Sequence, residues 1–401
     1  MKKILFLGYL ITPEEANSAS GASVAGNKMQ WNIIKNLSES YDVEITCVTI
    51  FPKASFPMDK TLFVNKESKN LFGNVNSVRV PYCNLPVIKQ ISQIINVYQA
   101  ARSVIYQTGA DTLFCFNLFP QIGIPMRWLK KTFKDLNSTC LLADLPIDDN
   151  TNRKGFSALL RAKMEKSTWK SMMLCDKYIV LNKYVMEKYL KNKPYIVVDG
   201  GIDENDILLC ENNKEDNSER NILFCGALNE YNGIIPLLKA MDDLKNLDIY
   251  LDIYGSGYLE NEVKTAAENN CKIRYWGRVP NDVVMQKQRE AWLLINPRIA
   301  DDAIAKVTFP SKTFEYMLSG TPVLSTKLNG YGKEYENYMF WLENTDPKTI
   351  SSKIKQLYQR PLIEMHSFGD EAKKMIISSK TWRIQCKRIA EFLDIGGNCE
   401  K

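Results

Sequence analysis

The chain has 401 residues, 45% apolar and 24% charged. That is too long for one ordinary core and too apolar for a disordered chain, so two globular domains are expected. A net charge of +6 is mild at this length, whereas a nucleic-acid binder would carry a denser basic stripe.

The opening "MKKILFLGYLI" resembles the basic start of a signal peptide, but its apolar run is short and passes into "TPEEANS" without a small-residue cleavage site. It reads as a first buried strand. Further strand candidates follow: "VEITCVTIF", "SVRVPYC", "DTLFCFNLF", "TCLLADLP", "KYIVLN" and "YIVVDGG". Helical periodicity appears in "GNKMQWNIIKNLSE", "IKQISQIINVYQAARSVIYQT" and "SALLRAKMEKSTWKSMMLC". This alternation predicts a mainly parallel sheet with helices on both faces. The ten cysteines are scattered without a C-x-x-C spacing, several in strand-like runs. Buried, reduced thiols in a cytosolic protein fit that pattern better than zinc or disulfides. No stretch reaches the roughly eighteen uninterrupted apolar residues of a membrane span.

The polar stretch "CENNKEDNSERN" (210–221) is the best linker candidate, and after it β/α alternation begins afresh. "NILFCGAL" leads to "IIPLLKAMDDLK", "LDIYLDIYGSG" to "YLENEVKTAAEN", and "KIRYWGRV" to "NDVVMQKQREA". "WLLINPR" then precedes "FPSKTFEYMLSGTPVLST" (309–326), and the tail from Asp346 is helical. Two α/β domains joined this way would face each other across a cleft, with ligands outside the carboxyl ends of the strands.

The stretch 309–326 falls at such an end. Pro310 suits a first helical turn, Ser311 an N-cap, and Gly320 a left-handed stop, giving a helix of about two turns. Free N–H groups and the positive dipole end make an anion site there. Lys312 adds a cation and Ser311 and Thr313 add hydroxyls, which suits a diphosphate. Glu315, one turn in, could accept hydrogen bonds from the vicinal hydroxyls of a ribose. An ordinary structural reading also stands: Glu in a first turn gains about 0.3–1 kcal/mol from the dipole alone.

The company of this segment decides between the two readings. "FPSKTFEYMLSGTPVLST" resembles the donor-glutamate segment of the family 4 glycosyltransferases, which have the GT-B fold. "LDIYGSGYLENEV", "KIRYWGRVPNDVV" and "NILFCGALNEYNGIIPLLKAM" resemble that family's further donor-domain motifs, and "YIVVDGGID" its interdomain segment. The similarity spans 195 to about 345 in the family's order. The first half matches only in outline, through its first strand, a long loop with Gly21 and a following helix.

The resemblance implies an α/β chain of GT-B fold, with two Rossmann-like domains facing each other across a cleft. Residues 1–200 would form the acceptor domain, 201–375 the nucleotide-sugar donor domain, and 376–401 a C-terminal helix packing back on the first. Gly200 and Gly201 are hinge candidates. It implies a retaining, metal-independent transfer of a sugar from a UDP- or GDP-linked donor, with no other cofactor, to a hydroxyl of a glycan or lipid-linked acceptor. Bacterial surface polysaccharide synthesis is the implied setting, in the cytoplasm or peripherally on the inner face of the plasma membrane. Donor contacts would come from Gly21, Gly226, Gly255, Val279, Arg298, Ser311, Lys312, Thr313 and Glu315.

Several positions depart from the family pattern. Of its two glutamates eight positions apart, Glu315 matches the second and Val307 stands at the first. Ala227 and Asn232 replace the usual Arg and Lys. Arg298 and Lys312 are the expected substitutes, as in a subset with Asn-Pro-Arg and Pro-Ser-Lys-Thr signatures. Asp301 or Asp302 could supply the lost carboxylate. The family's N-terminal-domain histidine has no counterpart, because the sole histidine, His366, lies in what reads as a tail loop. Asp144, in "LLADLPIDDN", is then the leading polar candidate to face the donor sugar, with Asp148 second. Catalytic roles are assigned to Arg298, Lys312 and Asp144.

Gly255-Ser256-Gly257 evokes a dinucleotide fingerprint, but Glu260 occupies the third glycine position, which argues against an oxidoreductase. "IPMRWLKKTFK" (124–134) fits either an anionic membrane or a solvated helix face. An epimerase or phosphorylase on the same architecture, or a non-catalytic partner subunit, are the rival functions.

Overall fold

The computed structural model describes residues 1–146, 156–209, 219–301 and 303–396. They fall into two compact units, residues 1–199 with 382–401, and residues 200–381.

The first unit opens with β1 (Lys2–Gly8), α1 (Pro13–Ser18), α2 (Val24–Ser40) and β2 (Val43–Thr49). Four short strands follow: β3 (Phe63–Val64), β4 (Glu67–Phe72), β5 (Val75–Arg79) and β6 (Tyr82–Cys83). Then come α3 (Ile88–Thr108), β7 (Thr112–Phe116), α4 (Pro120–Thr132) and β8 (Asn137–Leu142). The series ends with α5 (Phe156–Leu174), β9 (Lys177–Val180), α6 (Tyr184–Tyr189) and β10 (Tyr195–Val197).

Eight strands form one sheet in the order β10-β9-β8-β7-β1-β2-β5-β4, parallel except for β4, which runs antiparallel to β5. Ile4 to Leu7 of the central β1 are at most 1% exposed. That two-sided burial is why "ILFL" reads as an unbroken apolar run. Strand order runs outward from β1 in both directions, so right-handed crossovers place α2 on one face and α3, α4 and α5 on the other. The antiparallel β4 was not among the predicted strands. Its "ESKNLF" is polar and half-exposed, as an edge strand can be.

The second unit contains α7 (Glu204–Leu209), β11 (Arg220–Cys225), α8 (Ile234–Ala240), β12 (Ile249–Tyr254) and α9 (Glu260–Asn269). It continues through β13 (Ile273–Gly277), α10 (Asn281–Glu290), β14 (Leu293–Asn296), α11 (Ala303–Val307) and α12 (Lys312–Leu318). β15 (Val323–Thr326), β16 (Phe340–Leu342), α13 (Pro347–Tyr358) and α14 (Leu362–Ser379) complete it. Its six strands are all parallel, in the order β13-β12-β11-β14-β15-β16. Their order reverses between β11 and β14, the switch point where such sheets hold ligands.

The last helix, α15 (Trp382–Phe392), belongs to the first unit. It lies against α2 and buries Trp382, Cys386 and Ile389 in the same core as Ile33 and Leu37. The chain rejoins the first unit at Trp382, whereas residue 376 lies inside α14.

Two expectations need correction. Of the stretch 210–221, residues 210–218 lie outside the described residues, and Arg220 and Asn221 already belong to β11. His366 lies within α14, not in a loop. Gly369, three residues on, is also helical, and its lack of a side chain permits a close approach: a Cβ there would lie 2.1 Å from the Gly320 carbonyl oxygen. The helix thus packs backbone to backbone against the turn that ends α12.

Candidate functional site

At the carboxyl ends of β11, β12 and β13 the second unit opens into a cavity of about 660 Å³. Its wall includes Gly226, Ala227, Gly255, Arg278, Val279 and Lys312. The floor is made by two turns in close contact. Gly255 takes a φ of +138°, and a Cβ there would sit 1.9 Å from the Gly226 carbonyl oxygen, so only glycine allows the approach. The amides are committed to neighbouring strands: Gly226 N–H donates to Tyr254 at 3.0 Å and Gly255 N–H to Gly277 at 2.8 Å. The turns therefore shape the cavity, and Lys312 and Arg278 bring positive charge to its wall.

Lys312 is the first residue of α12. Tyr316 brings it there: fully buried, its hydroxyl accepts from the Cys225 N–H at 2.8 Å and donates to the Cys225 carbonyl at 3.2 Å. This ties the helix to the end of β11. The Lys312 ammonium meets Glu315 at 2.6 Å, both side chains about one third exposed. Burial works to lower the Lys312 pKa, but Glu315 and Cys225 more than offset it and the net shift is upward. Lys312 is thus a cation at neutral pH, with one carboxylate partner.

Ser311 is exposed, has helical backbone angles and makes no side-chain cap, contrary to the expected N-cap. Pro310 opens the turn instead, its carbonyl accepting from Thr313 N–H at 2.9 Å. Thr313 is buried, and its hydroxyl lies 2.8 Å from that of Tyr331. Gly320 ends the helix region with φ +75°. Tyr331 also meets Ser325 at 3.1 Å and accepts from Asn296 at 3.2 Å, so one phenol joins α12 to the ends of β14 and β15. Sequence reading missed Tyr316, Tyr331 and Arg278. A tyrosine in an apolar run gives no sign of where its hydroxyl goes, whereas Arg278, directly before Val279, was within reach of the motif.

Arg298 follows β14. Its guanidinium lies 5.2 Å from the Tyr231 ring, one terminal nitrogen is 3.4 Å from the Thr308 hydroxyl, and its buried Nε has no partner among the described residues. It is not a freely solvated surface charge. Val307, at the position of the family's first glutamate, is 7% exposed and apolar. Asp301 is fully exposed and paired with Lys306 at 3.3 Å, while Asp302 lies outside the described residues. Ala227 lines the cavity, and Asn232 closes the turn beside it by donating to the Ala227 carbonyl at 2.8 Å.

In the first unit, Asp144 follows β8. Asn117, itself buried with φ +54°, donates to the Asp144 carboxylate at 3.0 Å and accepts from the Asp144 N–H at 3.0 Å. Solvent reaches Asp144, yet the protein around it raises its carboxyl pKa, against the pull of the Asn117 bond. Beside it is a second cavity of about 370 Å³ with a largely apolar wall that includes Tyr9, Phe119, Leu145, Pro146 and Met164. Gly21 is exposed and backs onto the main chain at Lys53 and Ala54. Asp148 lies outside the described residues.

Residues 219–360 match the family model described as "Glycosyl transferases group 1". No curated protein sequence matches the chain. Among solved structures, sucrose-phosphate synthase from Thermosynechococcus elongatus superposes with TM-score 0.69 at 13% identity, covering 98% of this chain and 98% of that one. Trehalose-6-phosphate from E. coli bound with UDP-2-fluoro glucose gives 0.67 at 9%, over 99% and 100%. Anabaena HepE in complex with UDP gives 0.65 at 13%, over 98% and 100%. At these identities the likeness establishes architecture: the chain has the GT-B fold, two Rossmann-like units in one polypeptide.

Proposed function

We propose that the chain is a retaining glycosyltransferase, similar to family 4, that moves a sugar from a nucleotide diphosphate donor to a hydroxyl acceptor without a metal. The observation that carries this is the cavity at the ends of β11 to β13, glycine-floored and bearing Lys312 and Arg278, within the segment that matches the group 1 glycosyltransferases. Two of the similar structures hold UDP or a UDP-sugar.

The chemistry asks for a counter-charge where a diphosphate departs as its bond to the sugar breaks. Lys312 and Arg298 supply it in this reading, an electrostatic contribution that typically costs about 10²–10³ in rate when one such donor is removed. Glu315 binds the ribose hydroxyls and orients Lys312 through their ion pair. Val279 borders the nucleobase. Asp144 faces the transferred sugar, and the apolar cavity next to it takes part of a glycan or lipid-linked acceptor. Bacterial surface polysaccharide assembly is the setting the reading favours.

Ala227, Asn232 and Val307 favour one alternative, a partner subunit that keeps the fold and lacks activity. Thermal stabilisation of the pure protein by uridine and guanosine diphosphates and their sugars separates the two, because a ligand that binds only the native state raises its melting temperature. Glycosyl transfer from the stabilising sugar nucleotide is expected. Arg298→Ala, Lys312→Ala and Glu315→Ala should each weaken nucleotide binding by about 10-fold or more in calorimetry, as loss of a charge-assisted hydrogen bond does. No stabilisation by any donor would leave the partner-subunit reading standing, and unchanged affinity in all three variants would move the site elsewhere.

A further inference from the structure

The helical face of the first unit formed by α3, α4 and α5 carries an unusual combination of side chains. The three helices pack side by side, α3 on α4 and α4 on α5. Together they hold nine Lys or Arg residues and a single Glu. Between Glu67 and Asp111 the chain contains no acidic residue. Much of this charge is outward: Arg102, Lys131, Lys163, Lys166 and Lys170 are exposed. Lys163, Lys166 and Lys170 are spaced to share one face of α5.

Apolar side chains stand on the same helices. Ile88, Ile91 and Ile95 follow one another at intervals of three and four residues on α3 and are 50%, 53% and 43% exposed. Tyr98 and Arg102 continue that stripe, and Tyr98 packs edge-on against Trp128 of α4 at 5.4 Å. Trp128 is 38% exposed, and Lys131 is one turn further along. The loop before β3 reaches the start of α3, where Phe56 N–H donates to Asn84 and Lys89 to the Ser55 hydroxyl. Phe56, Met58, Leu62 and Phe63 are exposed on and beside this loop, Met58 by 87%. Of the segment 124–134, only Trp128, Lys131, Thr132 and Lys134 are exposed, while Lys130 is held by Asp176 and Phe133 packs on Tyr106.

Isoleucines at helical spacing, flanked by a tryptophan and by lysines with almost no carboxylates, match an interface between hydrocarbon and anionic headgroups. The apolar stripe gains by entering the acyl boundary and the cations by meeting lipid phosphates. A soluble partner of ordinary acidity would satisfy the charge but leave the isoleucines without a reason. No described helix is long and apolar enough to cross a membrane, so contact would be with one leaflet. We infer that the α3–α5 face docks on a bilayer of anionic lipids, with Ile88, Ile91 and Ile95 at the interface and the α5 lysines against the headgroups.

The test is sedimentation of the full chain with vesicles, and it does not depend on the nucleotide reading. With vesicles of phosphatidylglycerol and phosphatidylcholine, the protein should pellet at least ten-fold more than with phosphatidylcholine alone, and less as salt rises. Ile91→Ser with Ile95→Ser, and separately Lys163→Glu with Lys166→Glu, should each lower the bound fraction several-fold while the melting temperature holds. These positions are exposed, so folding should survive. Absence of wild-type binding to the anionic vesicles, or equal binding by both double variants, would overturn the proposal. So would a lipid-free dimer in sedimentation velocity that the isoleucine variant dissolves, since that assigns the stripe to a second copy.

Discussion

The two units solve the same architectural problem with different materials. Both are mainly parallel sheets sandwiched by helices, and in both the strand order reverses near the middle. In the second unit the strand ends are joined by glycine turns packed backbone to backbone, and the cavity above them takes its charge from Lys312 and Arg278. In the first, the corresponding ends hold an apolar cavity and an Asp–Asn pair, and the outer helices carry the charge. A cavity floored by turns in backbone contact leaves little freedom in backbone geometry. An apolar cavity can be lined by many side chains. That contrast is in keeping with a family-model match that covers 219–360, all of it in the second unit.

The contrast can be broken at its tightest point. Gly255→Ala puts a Cβ 1.9 Å from a carbonyl oxygen at a φ of +138°, and overpacking and backbone strain each cost about 1–3 kcal/mol. A loss of about 3 kcal/mol in urea unfolding is expected, concentrated in the second unit. A native-like midpoint would show that the two turns are not rigid.

Tyr331→Phe sharpens the comparison from within the second unit. The phenol joins Thr313, Ser325 and Asn296 in a buried setting. Its removal leaves partners unsatisfied, at about 1–3 kcal/mol. Nucleotide affinity should fall with stability, because α12 carries Lys312; calorimetry alongside unfolding would detect a stability loss that leaves affinity untouched.

The smallest effect belongs to Asp144→Asn in the first unit. The folded protein raises the Asp144 pKa, so the native state binds its proton more tightly than the unfolded chain does. That group therefore costs stability once pH rises through its folded pKa, and costs nothing below its unfolded value. The Asn variant should melt slightly higher than the parent near pH 7, and the gap should close as pH falls through the carboxylate range. A gap that widens on acidification would contradict the sign. Nucleotide affinity of the isolated binding step should not change, while transfer should slow.

Much of the fold was legible because period and punctuation agree in this chain. The central strands are continuous apolar runs, α3 coincides with its periodic segment, and Gly320 marks a stop that the backbone confirms. The glycine at 255 was legible too, since a close backbone approach at positive φ admits no side chain. Other features were not. His366 reads as a tail-loop residue but lies inside α14, where Gly369 lets the helix pack against the Gly320 turn, a contact made with a segment distant in the chain.

By itself, then, the sequence determined the alternation of strands and helices, the second unit's glycine turns and the residue types available for an anion. Only the tertiary structure decided which of those residues meet. Tyr316 ties Lys312 to the end of β11, Tyr331 claims the Thr313 hydroxyl, and Ser311 is left exposed without a capping role. The reason is physical: local periodicity sets which face of an element is apolar, but the partner of a buried hydroxyl or ammonium is supplied by segments far away in the chain.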